Sequence, residues 1–157
     1  MSPTENFIFA NAPEGAVAFA TLADHPPLLG TVTHLELPDG ERLPTFSLWS
    51  HECHLPLIEL NDEPATATRF SLAGFTLTEY MADPHRQQLA KFYQVACQRF
   101  GWVRDEHATL NVIYRLEQAG IREIGHDNLR RAMNVAHAAT QAVYAYVRQF
   151  AKMKLAA

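Results

Sequence analysis

Asp83-Pro84-His85-Arg86-Gln87-Gln88-Leu89-Ala90-Lys91-Phe92-Tyr93 is the stretch on which the fold turns. Before it, apolar residues recur with the two-residue period of strands. After it they recur about every 3.6 residues, the period of a helix. Asp83 as a cap with Pro84 at the first helical position is a helix start signal. Leu89, Phe92, Tyr93, Ala96 and Phe100 then share one face, and Gly101 supplies a stop. This predicts a helix over about 84–100.

Downstream the helical pattern continues. Asp105 is placed to cap a second helix over about 105–119, with Leu110, Ile113, Tyr114 and Leu116 on its apolar face and Gly120 at its end. Ile121 to Ile124 reads as a linker or a small strand. His126 or Asp127 opens a third helix over about 127–155. Its stripe is Leu129, Ala132, Ala136, Ala139, Val143, Tyr146, Val147 and Phe150.

Upstream the signals are those of strands and turns. Thr31 to Leu37 and Arg42 to Ser50 flank Pro38-Asp39-Gly40-Glu41, a hairpin turn in which Gly accepts positive φ and Asp hydrogen-bonds locally. Pro44 predicts that the second of these strands is an edge or is bulged near its start. Leu55 to Leu60 reads as a third strand, ended by Asn61-Asp62-Glu63-Pro64. Thr66 to Leu77 reads as a fourth, with a phase shift at Ala73-Gly74 that suggests a bulge. Asn6 to Ala10 is a further short apolar run. Residues 12–24 stay open: Asn11-Ala12-Pro13-Glu14 resembles a helix start, while Val17, Phe19 and Thr21 suit a strand.

Strands followed by helices imply an α+β fold rather than a doubly wound sheet. The expectation is a mostly antiparallel sheet of four to five strands within about 6–80, covered on one face by the three helices. At 157 residues the chain is read as a single domain, 1–157. The charge is as uneven as the pattern. Residues 1–84 hold Arg42 and Arg69 against twelve acids, a net −10, and residues 85–157 hold eleven Lys and Arg against five acids, a net +6. The whole chain carries −4. Such polarity fits either two halves that neutralise each other or a bipolar surface that steers a partner.

Several function classes recede at this level. The longest apolar stretch, Gly15 to Ala23, is well short of the roughly 20 residues of a membrane span. No secretory signal is read at the N-terminus, and Cys53 and Cys97 lie far apart, so a cytoplasmic protein with free thiols is expected. Gly-rich phosphate-binding loops are absent, and no cofactor is expected.

Three sets of residues carry the functional expectations. The leading one is a non-catalytic binding or regulatory protein that acts through Tyr144, Tyr146, Phe150 and Met153 of the long last helix. There, large amphipathic groups stand beside small residues that let a helix approach closely. Its partner is another protein or a second copy of the chain, and enzymatic activity is not expected. The first alternative is a small enzyme or ligand-binding domain using the His51–His54 turn, where His51, Cys53 and His54 supply nucleophile and base types. No second ligand pair completes a tetrahedral set, so no metal is assigned there. The second alternative is a nucleic-acid-associated accessory protein using Arg130 and Arg131 of the basic helices. Against it, the Gly120–Asp127 connection is long for a helix-turn-helix, and the pI is about 6.0. The remaining histidines are read as surface or capping groups.

Overall fold

A computed structural model describes residues 12–22, 26–36, 38–49, 53–56, 68–102 and 105–156. The chain divides into two compact units, Met1–Leu77 and Thr78–Ala157. The division falls just ahead of Asp83-Pro84, where the sequence changes period.

The first unit is a five-stranded antiparallel sheet. Its strands are β1 (Ala16–Leu22), β2 (Leu28–Glu36), β3 (Arg42–Trp49), β4 (Cys53–Pro56) and β5 (Thr68–Thr76), in the order β4-β3-β2-β1-β5. The β2–β3 hairpin forms where Pro38-Asp39-Gly40 predicts it. Gly40 has φ 87°, and the Asp39 carboxylate accepts from the Glu41 amide at 3.0 Å. β1 resolves the open segment as a strand. It is paired along both edges, with β2 (Val17 opposite Thr31) and with β5 (Ala20 opposite Phe70). A ladder on each side outweighs the local cap signal of Asn11-Ala12-Pro13-Glu14, which starts no helix. The phase shift at Ala73-Gly74 is a bulge. Ala16 and Ala18 face Thr76 and Leu72, so two steps on β1 span four on β5, and Gly74 takes φ 89°.

Two expectations for the sheet are corrected. β3 is not an edge strand, because β4 pairs beyond it. β4 stops at Pro56 opposite Thr45, however, so Pro44 lies just outside the doubly paired part of β3, where a missing N–H is tolerated. The strand expected at Leu55–Leu60 begins earlier, at Cys53. Residues 57–60 lie outside the described residues, as does the run Asn6–Ala10.

Consecutive residues of the central strands are buried (Val17 and Ala18, Leu28 and Leu29, Phe46 through Leu48), so both sheet faces are withdrawn from solvent there. One face bears hydroxyls at Thr31, Thr45 and Ser47, all buried. Thr45 Oγ1 meets Thr33 Oγ1 at 2.6 Å, which satisfies both polar groups.

The second unit is helical. A five-residue helix α1 (Leu77–Met81) leads into it; α2 is Pro84–Phe100, α3 is Glu106–Gln118 and α4 is Leu129–Ala156. Asp83 caps α2 through a 2.8 Å bond from the His85 amide, and Gly101 ends it at φ 71°. Asp105 caps α3 in the same way from His107. α4 begins at Leu129, two residues after the Asp127 start expected. The turn before it is held by the Asn128 side chain, whose amide donates to the Glu123 carbonyl at 2.7 Å and whose oxygen accepts from the Gly125 amide at 2.8 Å. α4 buries Ala132, Ala136, Ala139, Thr140, Val143 and Tyr146, a stripe that packs on α3. Tyr93 of α2 meets Thr140 of α4 at 2.8 Å between their hydroxyls, and Thr140 also donates to the Ala136 carbonyl. No helix among the described residues is long and apolar enough to cross a membrane.

Candidate functional site

A groove of about 700 Å³ lies in the helical unit between α2 and residues 122–124. Its floor comes from helical geometry. Leu89, Tyr93, Ala96 and Cys97 form the buried stripe of α2. Phe92 and Val95, at three-residue spacing from Leu89, lie beside that stripe and line the groove together with Ile124. Val95 is 60% exposed and continues the apolar lining of Leu89, Phe92 and Ile124 towards solvent. The rim carries His85, Lys91, Arg122 and Glu123. No carboxylate of the described residues lies within ion-pairing distance of Lys91 or Arg122.

One end of the groove shares His85, Leu89 and Arg122 with a small recess that reaches Arg86 and Glu117. There Glu117 of α3 ties α1 to α2. Its Oε1 accepts from the Tyr80 hydroxyl at 2.9 Å and from Arg86 Nε at 2.9 Å. The Arg86 guanidinium also lies over the Tyr80 ring, 4.0 Å from its centre, and donates to the Tyr80 carbonyl. Burial raises the Tyr80 hydroxyl well above its ordinary pKa, and the Glu117 hydrogen bond and charge add to the rise. Burial pulls the Arg86 guanidinium down, but the Glu117 hydrogen bond and charge outweigh it, so Arg86 also stands above its usual value. Every polar group of this cluster is engaged, which makes it a brace for the end of the groove.

A second polar cluster is buried. His107, expected among the surface or capping histidines, is 3% exposed. Its Nδ1 lies 3.2 Å from Asp105 Oδ2, and Asn111 donates to the His107 carbonyl at 2.8 Å. The only sequence signal was Asp105 two residues before a histidine, and that pattern marks a cap equally well.

The residues singled out from sequence are dispersed. Tyr146 is 5% exposed and offers a partner little surface. Tyr144 is half-buried. α4 extends through Phe150 and Met153, whose side chains lie outside the described residues. Arg130 and Arg131 are both exposed at the start of α4, but the Arg131 guanidinium donates to the Ala119 carbonyl at the end of α3. That bond gives it a structural duty as a C-terminal cap. His51 lies outside the described residues. Cys53 and His54 belong to edge strand β4, opposite Trp49 and Ser47, and so do not form the turn expected of them. Among the described residues no group of three or more His, Cys, Asp or Glu is arranged to hold a metal ion.

Sequence reasoning missed the groove because it assigned Phe92 and Phe100 to the same inward face as Leu89. Phe92 is half-buried in the groove wall. Phe100 is 54% exposed and stacks on Trp102 with ring centres 5.5 Å apart. No family model, curated protein or solved structure matches the chain.

Proposed function

We propose that the protein is a non-catalytic binding protein and that its recognition surface is the α2 groove of the helical unit. The observation that carries this is the exposure of Val95 on the apolar floor beside Leu89 and Phe92. Burying such a surface against a partner is favourable by about 25 cal/mol per Å² before the costs of association. The volume lies in the range of ligand sites, about 300–1,000 Å³. The lining holds no nucleophile with an orienting base, so its chemistry is that of recognition. Small grooves of this kind are occupied by one or two anchoring side chains surrounded by polar contacts.

The test is a random 12-residue peptide library displayed and panned on the full chain, with Val95→Asp as the comparison. Val95 is exposed, so the substitution leaves the fold intact, which circular dichroism checks. Recovered peptides are expected to bind the variant at least about tenfold more weakly, a difference of about 1.4 kcal/mol. Equal binding to both proteins would remove the groove as the recognition surface.

A further inference from the structure

We infer that the occupant of the groove is an amphipathic helix of a partner protein, with carboxylates flanking its apolar anchors. The inference rests on the reading of the groove as a recognition surface and names what that surface selects.

Two cations frame the apolar floor, Lys91 on α2 and Arg122 beyond α3. Both are exposed, and neither has a carboxylate partner among the described residues. Arg86 and Arg131 of the same unit are committed, Arg86 to Glu117 and Arg131 to the Ala119 carbonyl, so neither adds a free charge to the groove. The rim holds one acid, Glu123, and His85, so it is cationic on balance. The whole unit carries eleven Lys and Arg against seven acids, a net +4. Carboxylates at the edges of a docked segment would meet Lys91 and Arg122, while lysines there would meet like charge. Charge of this kind sets partner choice and association rate more than affinity.

The shape favours a helix over other occupants. From Pro84 to Val95 the α2 wall runs about 16 Å, or three helical turns. The lining comes from a helix and a non-strand connection, so no open strand edge is offered for strand addition. The groove is open enough to leave Val95 60% exposed, whereas pockets for small molecules enclose about 70–90% or more of their ligand.

The test uses three 16-residue fluorescein-labelled helical peptides with one leucine pattern and all-Glu, all-Gln or all-Lys flanks. Each is titrated into the full chain by fluorescence anisotropy. The Glu peptide is expected to bind at least about tenfold tighter than the Lys peptide at low salt, with the gap closing as salt rises. Lys91→Glu with Arg122→Glu is expected to invert the order. If all three peptides bind alike and Val95→Asp weakens all of them, the charge inference fails and the groove reading stands. If no peptide binds but dodecanoate does, in a Val95-dependent way by calorimetry, the occupant is a lipid carboxylate and the inference is overturned. If nothing binds in a Val95-dependent way, both fall.

Discussion

Gly30 shows how much a single position can decide. It lies inside β2 opposite Ala18. A methyl group there would fall 2.5 Å from the Phe46 ring and 2.5 Å from the Ser47 carbonyl, so strand and ring must move to admit it. Gly30→Ala is therefore expected to cost about 1–3 kcal/mol, the range for overpacking a filled core. A urea unfolding series reads this directly; an unchanged midpoint would show that the site relaxes freely. Gly40 could be assigned to its turn from its neighbours, since Asp39-Gly40 announces a positive φ. Gly30 could not be assigned in this way. Its role is set by Phe46, a residue of another strand. The same holds for His107, whose burial depends on what surrounds the start of α3.

Helix ends were the most legible elements, because a cap acts over two or three residues. Asp83 and Asp105 occupy the cap positions read from sequence, and the two make a useful contrast. The Asp83 carboxylate accepts from the exposed His85 amide, so Asp83→Ala is expected to cost about 1 kcal/mol. Asp105 is buried and also faces His107 Nδ1 at 3.2 Å. Asp105→Ala is expected to cost more, about 2–3 kcal/mol, because it leaves buried polar groups unsatisfied. Equal shifts in thermal unfolding would show that the His107 ring contact contributes nothing. A third element-level expectation concerns Glu117. Its replacement by Gln keeps the shape but removes the charge that holds Arg86 and Tyr80. A loss of about 1 kcal/mol is expected, since the pair is about a quarter exposed and partly screened. Strands were less legible than helices. β1 was ambiguous and the start of β4 was misplaced, since strand formation depends on partners far along the chain.

At the scale of the whole molecule, alkaline pH is the informative variable. Burial raises the hydroxyls of both Tyr80 and Tyr93 above their ordinary value near 10. In the unfolded chain these tyrosines ionise at about pH 10, while in the folded protein they stay protonated. The unfolded state then binds fewer protons, so stability falls as pH rises. Their contribution is fully present below about pH 10 and is lost above it. Urea midpoints at pH 7 and pH 11 should therefore diverge, and Tyr93→Phe should reduce the divergence. A divergence untouched by Tyr93→Phe and Tyr80→Phe together would assign it to other groups. The sheet also has a large-scale feature that no local pattern announces. β5, the last described strand, returns to pair with β1, the first described, which gives the order β4-β3-β2-β1-β5.

The change of period at Asp83-Pro84 was enough to determine the α+β class and the spans of α2 and α3. Caps, prolines, glycines and the 3.6-residue repeat all act within one turn of chain, so one sequence carries them completely. Only the tertiary structure decided that residues 16–22 are a strand, that Tyr146 faces inward, and that Phe92 and Val95 stand apart from the buried stripe of α2. Helical periodicity says which side chains share a face. It does not say which face meets neighbours, because that depends on the shape and volume of elements far away in the chain. The groove belongs to this second kind of fact: α2 carries more apolar surface than the helices of its own unit cover.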